Sequence, residues 1–199
     1  MRESIMKKLS PDDLYSLEKY AVMRPDFRKK VMAHKKNRQL SIGDHVTLYF
    51  EDRLTMQYQV QEMLRAERIF ELQGIQEELD AYNPLVPDGC NWKATLMIEY
   101  GDEKERRQKL AQLQGIEQSV WLQVKGFDKV YPIANEDLER TSDEKTSAVH
   151  FLRFELTSQM AEAVKLGTPL AAGVEHQQYT QKVDPIPTAI CHALAADLD

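Results

Sequence analysis

With 199 residues and a formal net charge of −6 at pH 7, the chain has material for one domain, or one domain with an appendage, and too little for two independent cores. Its 42% hydrophobic and 29% charged residues, with 8 glycines and 8 prolines, exclude collagen-like, low-complexity and disordered chains. No apolar run reaches the ~18–20 residues of a membrane helix, and Met1–Lys8 has neither the apolar core nor the cleavage site of a signal peptide. The expectation is therefore a soluble cytoplasmic protein without a membrane partner.

The charge is unevenly distributed. Residues 1–38 carry 11 Lys/Arg against 5 Asp/Glu, and the rest carries 15 against 27, so a basic helical segment, 1–40, is expected to pack on an α+β core, 41–199, as a single domain. Ser10-Pro11-Asp12-Asp13 reads as a helix start, with a capping hydroxyl, a proline that has no N–H to lose and acids at the positive end of the dipole. Leu14, Leu17, Ala21 and Val22 supply its apolar face. Arg24-Pro25-Asp26 interrupts it, because proline disfavours helical geometry in the residue before it, and a second helix runs to about Arg38. His45–Phe50, after the turn-like Ser41–Asp44, reads as a strand. Arg53 to about Tyr82 is proline-free and rich in helix formers, which predicts one long central helix with a break at Gly74. Asn83–Gly89 is a loop. Thr95–Tyr100, Val120–Val124, Lys129–Ile133, Val149–Leu156 and Pro169–Glu175 read as strands; Asp102–Gln114, Ser158–Leu166 and Pro187–Leu198 read as helices. In Val149–Leu156 the alternation puts Phe151 and Arg153 on one side and Leu152, Phe154 and Leu156 on the other. Ala134–Thr146 is a polar, exposed loop. The order predicts N-terminal helices and the long helix on a mostly antiparallel sheet of four to six strands.

The two cysteines, Cys90 and Cys191, lack CxxC spacing, which argues against a disulfide framework, a thiolate-rich zinc site and an all-Cys iron–sulfur cluster. HExxH, P-loop, GxGxxG, GxSxG and Glu-x-x-His motifs are absent. On a helical wheel Met56, Val60, Met63, Leu64 and Phe70 form one stripe with Glu67 in its middle, where an unpaired carboxylate is costly. Tyr58, Glu62, Arg65 and Ile69 form a second stripe nearly opposite, which implies a helix covered on two faces and points to a homodimer. Glu62 and Glu67 are read first as structural ion pairs. As the alternative, they join Glu51, Glu99, His45 or His150 in a metal or acid–base site. Arg28, Lys29, Lys30, Lys35, Lys36 and Arg38, with no acid between Phe27 and Gly43, form a candidate anion-binding segment. Its bland reading is a solvated face, and the acidic remainder of the chain argues against nucleic acid.

Phe50-Glu51-Asp52-Arg53-Leu54-Thr55, Tyr58–Glu67, Tyr82-Asn83-Pro84-Leu85-Val86-Pro87, Ala94–Glu99, Phe151–Leu156 and Gly173–Tyr179 together resemble an uncharacterised bacterial family, domain of unknown function 3501, over nearly the whole chain. Where that pattern tends to read Phe-Glu-Asn-Arg, this chain has Asp52. The resemblance implies a redox or iron–sulfur setting, with rubrerythrin-like and heterodisulfide-reductase-like neighbours, and carries over no catalytic residue and no cofactor. Its matching polar residues Glu51, Arg53, Gln61, Glu62, Arg65, Glu67 and Glu99 form the candidate polar cluster. The leading expectation is a non-enzymatic accessory or interaction protein with redox or iron–sulfur partners. The alternatives are a metal-binding protein or enzyme using the carboxylates, and a phosphate or nucleic-acid binder through residues 28–38. No metal ligand set is assigned.

Overall fold

The structure is a computed structural model that describes residues 7–136 and 145–199; residues 137–144 of the expected loop Ala134–Thr146 lie outside the described residues. Among the described residues are six α-helices and two antiparallel sheets, so the α+β class holds, with two sheets in place of one. The five-stranded sheet has the order β1 (Gln39–Ser41), β2 (Val46–Glu51), β3 (Asn91–Ile98), β7 (Val149–Glu155), β6 (Ile133–Ala134), and the four-stranded sheet the order β5 (Lys129–Val130), β4 (Val120–Val124), β8 (Leu170–His176), β9 (Tyr179–Val183). The expected strand Lys129–Ile133 is divided between them. Pro132 cannot donate to a ladder, and the chain changes sheets at Tyr131-Pro132. Strand β9 was not legible because its burial pattern is nearly all polar and exposed.

Strand alternation places Val46, Leu48 and Phe50, Trp92, Ala94, Leu96 and Ile98, and Leu152 and Phe154 on one face, where they join the four-stranded sheet in a single apolar cluster. Phe151 and Arg153 point the other way, as expected from the pattern. The cluster is closed by α4 (Glu103–Gln112), α5 (Ser158–Lys165) and α6 (Thr188–Ala195). The Trp92 indole N–H donates to the Leu194 carbonyl at 2.9 Å, which fastens α6 to β3.

The N-terminal helices form two separate apolar clusters. Ser10 caps only a 3₁₀ turn, Pro11–Asp13, and helix α1 runs from Leu17 to Lys35 through Pro25 without ending there. Pro25 and Ala21, whose carbonyl the proline leaves without its usual donor, are both exposed, so water can satisfy the orphaned acceptor. Tyr20 and Phe27, on either side of the proline, are buried in edge contact 6.1 Å apart and hold the two halves in line. The buried face is Tyr20, Phe27 and Val31, whereas Val22, expected on the apolar face, is 82% exposed.

The expected long central helix is two helices, α2 (Arg53–Glu67) and α3 (Leu72–Tyr82). The break falls at Arg68, left-handed at φ 57°, whose N–H bonds back to the Leu64 carbonyl. Gly74 lies inside α3, where a Cβ would meet Ile69 Cγ2 at 2.7 Å. Beyond Arg68 the wheel no longer applies for this reason, and Phe70 is 71% exposed; Glu67, in the last turn of α2, is exposed as well, because the buried stripe of that helix ends at Leu64. Among the described residues no helix is long and apolar enough to cross a membrane.

Two substitutions test this packing by urea denaturation. A Cβ on Gly173 would collide with the Trp121 indole and come within 2.9 Å of the Gln181 carbonyl, so Gly173→Ala is expected to destabilise by ~1–3 kcal/mol. Arg68→Gly relieves a left-handed side chain and is expected to raise stability by up to about 1 kcal/mol.

Candidate functional site

The basic end of α1 meets the junction of β2 with α2 and the tail after α6. Asp52 is the N-cap of α2: its Oδ1 accepts the Thr55 N–H at 2.9 Å, and Thr55 Oγ1 accepts the Asp52 N–H at 2.9 Å. This cap turns Oδ2 toward α1, where it lies 2.5 Å from His34 Nε2 and 2.9 Å from Arg38 Nε. A nitrogen and a carboxylate oxygen approach this closely only with a proton between them, so Nε2 carries the proton and donates to Asp52. Arg38 Nε is also 2.9 Å from His34 Nε2; with Nε2 protonated, its N–H serves Asp52 instead. Nδ1 of His34 makes no hydrogen bond among the described residues.

The far edge of the Arg38 guanidinium holds Asp197 bidentately, with Nη2 at 2.6 Å and Nη1 at 2.8 Å. Arg38 is 3% exposed, Asp52 6% and Asp197 3%, so two carboxylates share one guanidinium out of water. Burial opposes the charge on Arg38, but the Asp197 hydrogen bonds and the charges of both acids keep it ionised. Burial likewise works against ionised Asp52, but the His34 hydrogen bond, the Arg38 charge and the Thr55 N–H together hold it below the usual aspartate range. For Asp197 burial prevails and pushes its carboxyl up, against Arg38 and with the repulsion of Asp52.

These groups floor a cleft of about 600 Å³. Lys30 lies one turn before His34 on α1, and Lys7 and Arg53 complete the basic lining. Arg53 is engaged already, 2.5 Å from Asp13 and donating to the Lys7 carbonyl at 2.9 Å. The three cleft carboxylates, Asp13, Asp52 and Asp197, therefore all have cationic partners, whereas Lys7 and Lys30 have no carboxylate partner among the described residues.

The sequence candidates scatter. Glu62 accepts from Arg24 at 2.7 and 2.8 Å and from Tyr20 Oη at 2.6 Å; the Arg24 bonds, ahead of the opposing cost of burial, hold its carboxyl low. Glu51 is buried between Thr55 and Thr95 hydroxyls, at 2.7 and 2.8 Å, and burial pushes its carboxyl up despite those bonds. Gln61, fully buried, clamps the Tyr15 backbone. Glu99 accepts from Thr47 at 2.9 Å. Arg65 and Glu67 are exposed. Only Arg53 of this set reaches the cleft. His150 is enclosed, with Thr146 Oγ1 and the Ser147 carbonyl 2.9 and 3.0 Å from Nε2, and His45 stacks on Tyr100. Among the described residues no group of three His, Cys, Asp or Glu side chains is placed to hold a metal ion.

The basic segment divides as well. Arg28, Lys29 and Lys36 are exposed, Lys35 lies over the Tyr58 ring, Lys30 lines the cleft, and Arg38, expected to project outward, is buried in the double ion pair. The charged and titratable cleft members missed from sequence are Lys7, Asp13, His34, Asp52 and Asp197. Asp13 and Asp52 are legible only as helix caps, and Asp197 carries no local signal. A second cavity, an apolar groove of about 320 Å³, runs between the Pro11–Asp13 turn and the α2–α3 junction and is walled by Leu14, Leu17, Ile69, Phe70 and Leu72.

Residues 8–198 match the model of a family described as protein of unknown function, DUF3501. The chain is similar to a solved structure, a novel protein of unknown function from Burkholderia pseudomallei K96243, at 52% identity and a TM-score of 0.92, covering 97% of this chain and 100% of that one. No curated protein matches.

Arg38→Met leaves two buried carboxylates without their cation, and a loss of ~3–5 kcal/mol is expected in denaturant titrations. Because the carboxyl of Asp52 is held low in the folded chain, its contribution is present at neutral pH and disappears as pH falls through the depressed value. The stability curves of the wild type and Asp52→Asn are thus expected to differ at pH 7, to start converging below about pH 4, and to meet only below the depressed value.

Proposed function

The chain belongs to the DUF3501 family of proteins of unknown function, and we propose that it is a binding protein for a small phosphate-bearing molecule, seated in the cleft between α1, the start of α2 and the C-terminal tail. The observation that carries this reading is the balance of engaged and free groups: the cleft carboxylates are paired, and Lys7, Lys30 and His34 Nδ1 are left to face a ligand. Two lysines and an imidazole, Lys30 and His34 from α1 and Lys7 from the segment before it, suit the several oxygens of a phosphate better than a planar carboxylate, which favours an arginine fork. The positive end of α2 opens on the same space. A cleft of about 600 Å³ suits a small ligand better than a nucleic-acid duplex, and Arg28, Lys29 and Lys36 remain as a solvated face.

A second reading, an interaction surface for a second copy of the chain, is favoured by Phe70 and Leu72, 71% and 74% exposed, beside the apolar groove. An accessory role in the cytoplasm, among redox or iron–sulfur partners, is compatible with both readings and is part of the same proposal. Its check is solution mass: a dimer that dissociates in Phe70→Asp/Leu72→Asp supports the surface, and a monomeric wild type removes it.

Calorimetric titration with inorganic phosphate and pyrophosphate tests the cleft. Binding is expected to weaken about tenfold for each of Lys7→Gln and Lys30→Gln, the loss of one charge-assisted hydrogen bond, and to weaken with added salt. Absence of binding, or affinity unchanged in the double variant, overturns the reading.

A further inference from the structure

We infer that His34 is a phosphoryl acceptor, its Nδ1 taking a phosphoryl group from a small-molecule phosphoryl donor held in the cleft; this rests on the phosphate-binding reading above. A phosphate-accepting imidazole needs one nitrogen fixed and protonated, the other bare and accessible, and cations around the arriving oxygens. His34 offers this arrangement in its Nε2–H tautomer, with the side chain on the cleft wall. Nε2–H donates to Asp52 at 2.5 Å, Nδ1 has no hydrogen-bond partner among the described residues, and the side chain, about one-third exposed, lines the cleft beside Lys30 and Lys7.

Other histidines are arranged differently. His176 has Nε2 at 3.0 Å from the Gln114 carbonyl, and its Nδ1 accepts the Gln178 N–H at 3.2 Å. His45 has Nδ1 2.9 Å from the Glu99 carbonyl and its ring stacked on Tyr100. His150 is fully buried. His192 is exposed and has no carboxylate contact among the ion pairs of the described residues.

In the step, the Nδ1 lone pair attacks phosphorus, an N–P bond forms, and the bond from phosphorus to the leaving group breaks with its electron pair departing on that group. The ring becomes cationic as the bond forms. Asp52, kept ionised and accepting Nε2–H, balances that charge, while Arg38 neutralises the remainder of Asp52 and both oxygens of Asp197 on the side away from the incoming group. Lys30 and Lys7 serve the phosphoryl oxygens; Arg53 and Asp13 neutralise each other at the rim. With phosphoramidate protonated on its nitrogen as donor, the leaving group is neutral ammonia, and no further reactant is needed.

The test is incubation of the full chain with phosphoramidate, followed by intact-mass measurement and peptide mapping under alkaline conditions, where phosphohistidine survives. A single acid-labile phosphoryl group on His34 is expected, absent in His34→Gln. Lys30→Gln, at an exposed position that the fold does not depend on, is expected to slow labelling about tenfold, the loss of one charge-assisted contact. Asp52 is a positioning residue: Asp52→Asn is expected to slow labelling and to shift its pH profile, which a purely structural role would not do. Label spread over His176 and His192, or on His34 at a rate indifferent to Lys30→Gln, overturns the inference. Phosphate binding by calorimetry without labelling overturns it and leaves the cleft reading standing, whereas absence of both removes the two together.

Discussion

The guanidinium of Arg38, removed from water and held between Asp52 and Asp197, is the interaction on which the rest of the site depends. A buried charge without partners is costly enough that the chain must bring its acids to it, and here the acids come from the start of α2 and from the tail after α6. The end of α1, the β2–α2 junction and the C-terminus are thereby fastened at one point, across 159 positions of sequence in the case of Asp197. Trp92 repeats the constraint from the sheet side by holding the Leu194 carbonyl. Because Arg38 occupies Asp52 from one direction, His34 meets the same oxygen from another, and the imidazole orientation follows from the ion pair.

The helical layer shows how packing overrides local signals. Pro25 breaks no helix because the acceptor it strands faces water and aromatic contacts on both sides hold α1 straight. The long helix divides because Arg68 adopts a left-handed cap, which rotates everything after it out of the stripe begun by Met56, Val60 and Leu64. These two local outcomes set the surfaces that matter: an unbroken α1 carries Lys30 and His34 along one face into the cleft, and the turn after Arg68 leaves Phe70 and Leu72 beside the apolar groove.

Charge in this molecule is informative by who is already paired. Glu62 with Arg24, Arg153 with Glu136 and Glu155, and Lys129 with Glu175 neutralise one another on the surface, where such pairs add little stability. In the cleft the acids are neutralised by buried or constrained cations and two lysines remain. A net charge of −6 therefore coexists with a locally cationic pocket, since the excess acid lies elsewhere.

Sequence by itself determined the α+β class, the strands read at Val120–Val124 and Val149–Leu156, the helices read at Asp102–Gln114 and Ser158–Leu166, and the inward side of Leu152 and Phe154, because alternation and helix propensity act within a few residues. It also located the basic segment. It could not tell which cations of that segment stay in water: Lys30 and Arg38 have the same local context of lysines and histidine, yet one lines the cleft and the other is buried by an aspartate near the end of the chain. Nor could it separate the family-like acids, since Glu51, Glu62 and Glu67 differ only in what folds against them, two hydroxyls, an arginine from α1, and water. The division of one expected sheet into two, the break at Arg68 and the meeting of His34, Asp52 and Asp197 were decided by tertiary structure, because burial and ion pairing depend on neighbours that the local sequence does not contain.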